Sequence, residues 1–107
     1  MTYITNVVYD NDANAAFDME YYIKTHMPLV QKHWGPRGLE SWRVFDYSKD
    51  SSSPYKVHAL LMWKDQASAD DSISNHGAEV FGDVPKFTKL TPNKFAGHLV
   101  SSSSSSN

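Results

Sequence analysis

Residues 3–9 (YITNVVY) are β-branched and aromatic and close on Asp10-Asn11-Asp12, a cluster that favours turns and helix caps, so the pattern predicts a first strand. From Asn14 the period changes. Ala16, Met19, Ile23, Met27, Val30 and Trp34 recur every three or four residues, which predicts an amphipathic helix with one buried stripe, capped by Asp12 or Asn14. Pro28 cannot donate to the Lys24 carbonyl and its ring crowds the preceding turn, so a kink or restart is expected at His26-Met27-Pro28. The Gly and Pro of WGPRG (34–38) then end the helix. LESWRVFDYS (39–48) and YKVHALLMW (55–63) read as two strands joined by the turn-rich KDSSSP, a hairpin. DQASADDSISNH (65–76) reads as a polar helix capped by Asp65 and stopped by Gly77, burying little beyond Ala67, Ala69 and Ile73. Residues 79–90 place Val80, Phe81, Val84, Phe87 and Leu90 around Gly82 and Pro85, a loop with a short helix over a pocket or the sheet end. FAGHLV (95–100) closes as a fourth strand.

The order β-α-β-β-α-β is the split pattern of ferredoxin-like folds, an α+β class with one four-stranded antiparallel sheet. A lone sheet with both helices on one face should be polar on the other. Here both faces are largely apolar. Tyr3, Thr5, Val7 and Tyr9 alternate with Ile4, Asn6 and Val8, and His58, Leu60 and Met62 alternate with Val57, Ala59, Leu61 and Trp63. The second face needs a cover, and a second copy packing sheet against sheet is the economical one, so a homodimer is expected.

With 107 residues, seven of them the serine-rich tail 101–107, the chain has material for one core, hiding about 60 to 70% of its extended surface. One domain over 1–100 and a disordered extension over 101–107 are expected. Aromatic residues at 13% exclude a disordered chain. A formal charge of −2 without a basic stripe speaks against nucleic acid and against a polybasic membrane anchor. The absence of Cys removes disulfides, thiolate metal sites and cysteine nucleophiles, and fits a reducing compartment. No leader pattern and no long apolar run is present, so a cytoplasmic location is expected.

The segment 17–30 concentrates the candidate chemistry. His26 lies beside the Pro28 interruption, where helical hydrogen bonding fails, and an ordinary imidazole pKa of about 6.5 lets it exchange a proton near neutrality. General acid–base work is one reading; the other ties the kinked helix end to a neighbouring carbonyl or carboxylate. Asp18 could orient His26, with a helix cap the favoured role. Tyr9 and Tyr22 could orient a phenolic or carbonyl group through their hydroxyls. His58 shares parity with Leu60 and Met62 and is expected on the covered side of the sheet; His98 is a similar candidate on the last strand. Trp63 and Phe87 are candidate apolar walls. His33 is expected to offset the helix dipole, and His76 to end a helix. His26 and His33 are seven positions apart, too far along a helix to share one ion, so no metal is expected. No phosphate loop, dinucleotide fingerprint or nucleophile elbow occurs.

A first strand followed by F-D-x-x-Y-Y-x-x-x-H-x-P-L (Phe17 to Leu29), with Phe87-Thr88 later, resembles the EthD family of dimeric α/β-barrel proteins. The resemblance implies a homodimer whose two sheets form a central barrel, with each protomer's pocket between its own sheet and helices. It also implies a small hydrophobic substrate, often aromatic or polyketide-derived, handled without metal or organic cofactor. Some fungal members are assigned as decarboxylases or dehydratases, others as accessory proteins of degradation clusters. The expectation is a cofactor-independent decarboxylase, dehydratase or cyclase with His26 and Tyr22 catalytic and Tyr9, His58, Trp63, Phe87 and His98 binding substrate. The alternatives are a non-catalytic small-molecule-binding accessory protein and a cofactorless monooxygenase.

Overall fold

The computed structural model describes residues 2–103. Strand β1 (Tyr3–Asp10) is followed by a helical segment in three pieces: α1 (Met19–Tyr21), a π-helical turn (Tyr22–His26) and α2 (Met27–Trp34). A 3₁₀ turn (Gly35–Arg37) leads into β2 (Leu39–Asp46) and β3 (Tyr55–Trp63). The chain continues through α3 (Gln66–Asn75), α4 (Ala78–Gly82), a second 3₁₀ turn (Val84–Lys86) and β4 (Asn93–His98). The four strands form one antiparallel sheet in the order β2-β3-β1-β4, the ferredoxin-like arrangement. Of the serine-rich tail, 101–103 carry no regular structure, and the rest of the expected disordered extension lies outside the described residues. No helix among the described residues is long and apolar enough to cross a membrane.

The first helix starts later than its apolar period predicts. Asp12 instead turns the chain by accepting from the Asn14 amide at 2.8 Å, and Asp18 is the N-cap, accepting from the Tyr21 amide at 3.0 Å. The restart expected at Pro28 takes the form of the π-helical turn, in which the Met27 amide reaches back to the Tyr22 carbonyl. That turn inserts one residue into the helical phase. Before it, the inward position passes from Ile23 to Tyr22: Ile23 is 40% exposed and Tyr22 1%. The buried stripe is therefore Tyr22, His26, Met27, Val30 and Trp34.

That stripe packs on one sheet face made by Tyr3, Thr5, Val7 and Tyr9 of β1, Val57, Ala59, Leu61 and Trp63 of β3, and Leu39, Trp42 and Val44 of β2. Each large apolar side chain buried here contributes about 1.5–3 kcal/mol. Trp63 is fully buried, with its indole N–H donating to Thr5 Oγ1 at 2.9 Å and its ring 5.5 Å from that of Trp34. The other face carries Ile4, Asn6, Val8, Phe45, His58, Leu60, Met62 and Phe95, and among the described residues no helix lies over it. His58 sits on this open face, not the covered one: it pairs across from Val8 and Phe45, and its neighbours Val57 and Ala59 take the buried side. In the single chain Phe45 and Phe95 are 37% and 52% exposed.

The link from helix to sheet turns on Gly38. Its φ of 120° suits glycine alone, its carbonyl accepts from the Lys64 amide at 3.0 Å, and an added Cβ would lie 2.7 Å from Ser68 Cβ. Gly38→Ala is expected to cost on the order of 2 to 3 kcal/mol, read as a lower urea midpoint at unchanged slope. An unaltered midpoint would refute this account of the turn.

Candidate functional site

Two segments distant in sequence build the site. The helical segment 19–34 presents Tyr21, Tyr22 and His26, and the α4–3₁₀ segment brings Asp83 and Phe87 against them. Two contacts hold the second segment to the first helix start: the Asp18 amide donates to the Phe87 carbonyl at 2.8 Å within an antiparallel bridge of Phe17 with Thr88, and Thr88 Oγ1 donates to the Ala16 carbonyl at 2.9 Å. Tyr9, Phe17, Tyr22 and Phe87 form a cluster of edge-on and tilted rings with centroids 4.9 to 6.0 Å apart. The His26 imidazole extends it, lying 5.2 Å from Tyr22 in a near-parallel stack and 4.7 Å from Phe87.

His26 is buried, and its Nδ1 lies 3.0 Å from Asp83 Oδ2. Asp83 Oδ1 accepts from the Tyr21 hydroxyl at 2.8 Å and has Lys86 Nζ at 3.6 Å. Burial pushes Asp83 up, but hydrogen bonds from His26 and Tyr21, with the charges of His26 and Lys86, outweigh it and hold the carboxyl below its ordinary range. Burial is also the largest influence on His26 and lowers its pKa below the usual 6.5, with Asp83 opposing only in part. At neutral pH the pair is an ionised carboxylate and a neutral imidazole, joined by an Nδ1–H···O hydrogen bond. That bond selects the tautomer and leaves the Nε2 lone pair as the free base.

The imidazole lines a small interior cavity of about 30 Å³ together with Tyr9, Tyr22, Trp34, Leu61 and Phe81. This is room for about one or two water molecules. Burial alone raises the Tyr9 phenol well above its ordinary pKa, and burial followed by nearby Tyr9 raises Tyr22. Both phenols stay protonated at neutral pH. On the solvent side of Asp83 a broad groove of about 620 Å³ is lined by Tyr21, Thr25, Leu29, Lys32 and Lys86. The carboxylate therefore forms the wall between solvent and the imidazole.

Of the residues singled out from the sequence, Tyr9, Tyr22, His26 and Phe87 come together. Trp63 does not line the cavity; it is a core residue beneath Trp34. His58 is on the open face, its Nε2 2.8 Å from Asn6 Oδ1 and its ring near Phe45 and Tyr47. His98 is exposed on edge strand β4 with its ring against Tyr3. His33 lies 2.8 Å from Glu79, and His76 caps the end of α3 near Asp71. Asp18 caps the helix, so the carboxylate that orients His26 is a different one. Asp83 was not apparent in the sequence. Its only signal is position, an acidic residue in a segment expected to lie over a pocket. Among the described residues no three His, Asp or Glu side chains converge as a metal site would need.

No protein-family model and no curated protein matches the chain. Solved structures do. The chain is similar to an EthD-like protein from Ralstonia eutropha JMP134, at 24% identity, with 96% of each chain covered and a TM-score of 0.84. It is similar to an ethyl tert-butyl ether D (EthD) family protein from Bacillus halodurans C-125, at 20% identity over 94% of this chain and 100% of that one, with a TM-score of 0.71. A cofactor-independent oxygenase from Streptomyces nogalater matches at 9% identity over 94% of each chain, with a TM-score of 0.63. The chain thus has the four-stranded, ferredoxin-like α+β fold shared with EthD-like proteins.

Proposed function

We propose that the protein is a cofactor-independent enzyme of the EthD type that removes a proton from an enolisable, hydrophobic small molecule, aromatic or polyketide-like, with His26 as the base. The observation that carries this reading is the His26–Asp83 pair: a neutral imidazole, fixed through Nδ1 by an ionised carboxylate, in a cavity lined by two protonated phenols. In the proposed step the substrate C–H bond breaks, the proton goes to Nε2, and the electron pair stays on the substrate as an enolate. Tyr9 and Tyr22 donate hydrogen bonds to the enolate oxygen, and Asp83 stabilises the imidazolium. In a dehydration the enolate expels the hydroxyl, which the imidazolium protonates; in a decarboxylation no C–H bond breaks, and instead His26 takes the carboxyl proton, carbon dioxide leaves with its C–C electron pair passing into the enolate, and the imidazolium returns the proton to that carbon. Phe87 supports the stack from below. The resemblance to a cofactor-independent oxygenase fold favours a second outcome from the same carbanion, reaction with dioxygen.

The proposal includes a cytoplasmic homodimer joined through the open sheet face, supported by the exposed Phe45 and Phe95. Light scattering of the free chain is expected at twice its own mass, and a monomer removes this part of the reading.

Anthrone in deuterium oxide tests the proton step, since its methylene hydrogens exchange through an enolate. Exchange above the buffer rate is expected, and His26→Gln should lower it roughly 10²- to 10⁴-fold. Exchange at the parent rate in that variant would remove His26, and binding without exchange would favour the accessory-protein alternative. Oxygen uptake in the same mixture separates the oxygenase outcome.

The exchange rate should rise with pH through an apparent pKa below about 6.5 and then level off, because the neutral imidazole is the active form. Asp83→Asn removes the only influences that raise the His26 pKa while burial remains. The acid limb should therefore move to lower pH, and the plateau should fall by an order of magnitude or more because the tautomer is no longer selected. A limb that stays in place would show that Asp83 does not act on His26.

A further inference from the structure

The interior cavity, at about 30 Å³, is far smaller than the ~150 Å³ that holds a benzene ring. The missing room lies on the other side of one wall. A mostly apolar cleft of about 240 Å³ opens between α3 and the β1–β4 edge of the sheet, over Tyr3, Thr5, Ile73 and Ala96. Val7, Trp34 and Leu61 line both spaces. The partition is completed by Phe81, which lines the cavity, and Lys94, which lines the cleft, with the Lys94 ammonium 3.9 Å from the Phe81 ring centroid. A cation over an aromatic face at a partly exposed site is a modest attraction, easily exchanged for another contact.

The two spaces differ chemically. The cavity holds an imidazole and two phenols, whereas the cleft has no imidazole, one tyrosine (Tyr3), a Thr5 hydroxyl that already accepts from Trp63, and the exposed charged side chains Asp70 and Lys94. We infer that cleft and cavity are two compartments of one binding site, made for an amphiphile whose alkyl or aryl tail lies in the cleft while its oxygenated head reaches His26. Phe81 and Lys94 are the gate between them. The placement of the head rests on the proposed proton-transfer function; the tail compartment rests on the shared walls alone.

Binding of phenol, 4-propylphenol and 4-pentylphenol to the full chain tests this, followed by calorimetry and by the methyl signals of Ile73 and Ala96. Affinity is expected to rise roughly threefold for each methylene, since each takes its apolar surface out of water. Ala96→Phe, at an exposed position on β4, should abolish the gain with chain length. Lys94→Met, also on the exposed edge, should speed the association of 4-pentylphenol severalfold by releasing Phe81. Affinity independent of chain length, a gain that survives Ala96→Phe, or an association rate indifferent to Lys94→Met would overturn the inference. So would an Ala96→Phe variant that changes only the monomer–dimer ratio, which would assign the cleft to a second copy. A chain-length gain accompanied by full anthrone exchange in His26→Gln would sink the proton-transfer reading and leave the tail compartment standing; the converse pair of results does the opposite.

Discussion

A carboxylate taken out of water has to be hydrogen-bonded, and the way Asp83 meets that requirement organises the site. Its two oxygens collect the Tyr21 hydroxyl, the His26 imidazole and the Lys86 ammonium, so one charge ties the first helical segment to the segment that closes over it. Because Asp83 remains ionised, His26 keeps its proton on Nδ1; because His26 is buried, it carries no second proton at neutral pH. Burial and the carboxylate act in opposite directions on the imidazole, and burial dominates. That balance leaves neutral an imidazole that a fully formed ion pair would keep charged.

The π-helical turn gives this arrangement its reach. A regular helix through 19–34 would have turned Ile23 inward and Tyr22 away. The single inserted residue places Tyr22 one turn before His26 on the buried face, where the two rings stack and line one cavity. Pro28 is the local reason for the interruption, since it cannot complete the hydrogen-bond ladder. The irregular turn completes an aromatic cluster with Tyr9, Phe17 and Phe87, in which edge-on and tilted contacts add to simple burial.

The two faces of the sheet show a matching division. The covered face is aliphatic and aromatic, with the Trp63 indole paired to the Thr5 hydroxyl. The open face mixes Leu60, Met62 and Phe45 with the Asn6–His58 hydrogen bond, a polar pair set within apolar surroundings. Such a surface suits association with a defined partner better than it suits water, since a polar pair within a greasy patch favours one register over others.

The element order, the hairpin, the cap of α3 by Asp65, the interruption at Pro28 and the four-stranded class were legible in the sequence, because each follows from period, turn chemistry or a missing N–H within a few residues. The place of His26 beside that interruption was legible for the same local reason. The start of the helix was legible only in part: a cap was the favoured role of Asp18, but Asp12 and Asn14 competed for the start, and the contact of Phe17 with Thr88 decides among them. The side taken by His58 was not, because both parities of its strand are apolar and only pairing with β1 and β2 sets which is covered. Asp83 was the least visible, being an ordinary acidic residue in a loop until the fold carries it across 57 positions of chain to His26. By itself the sequence determined the elements and the placing of an imidazole beside the Pro28 interruption. Only the tertiary structure decided which carboxylate sets that residue's tautomer and charge, because those depend on burial and on long-range contacts that no local pattern encodes.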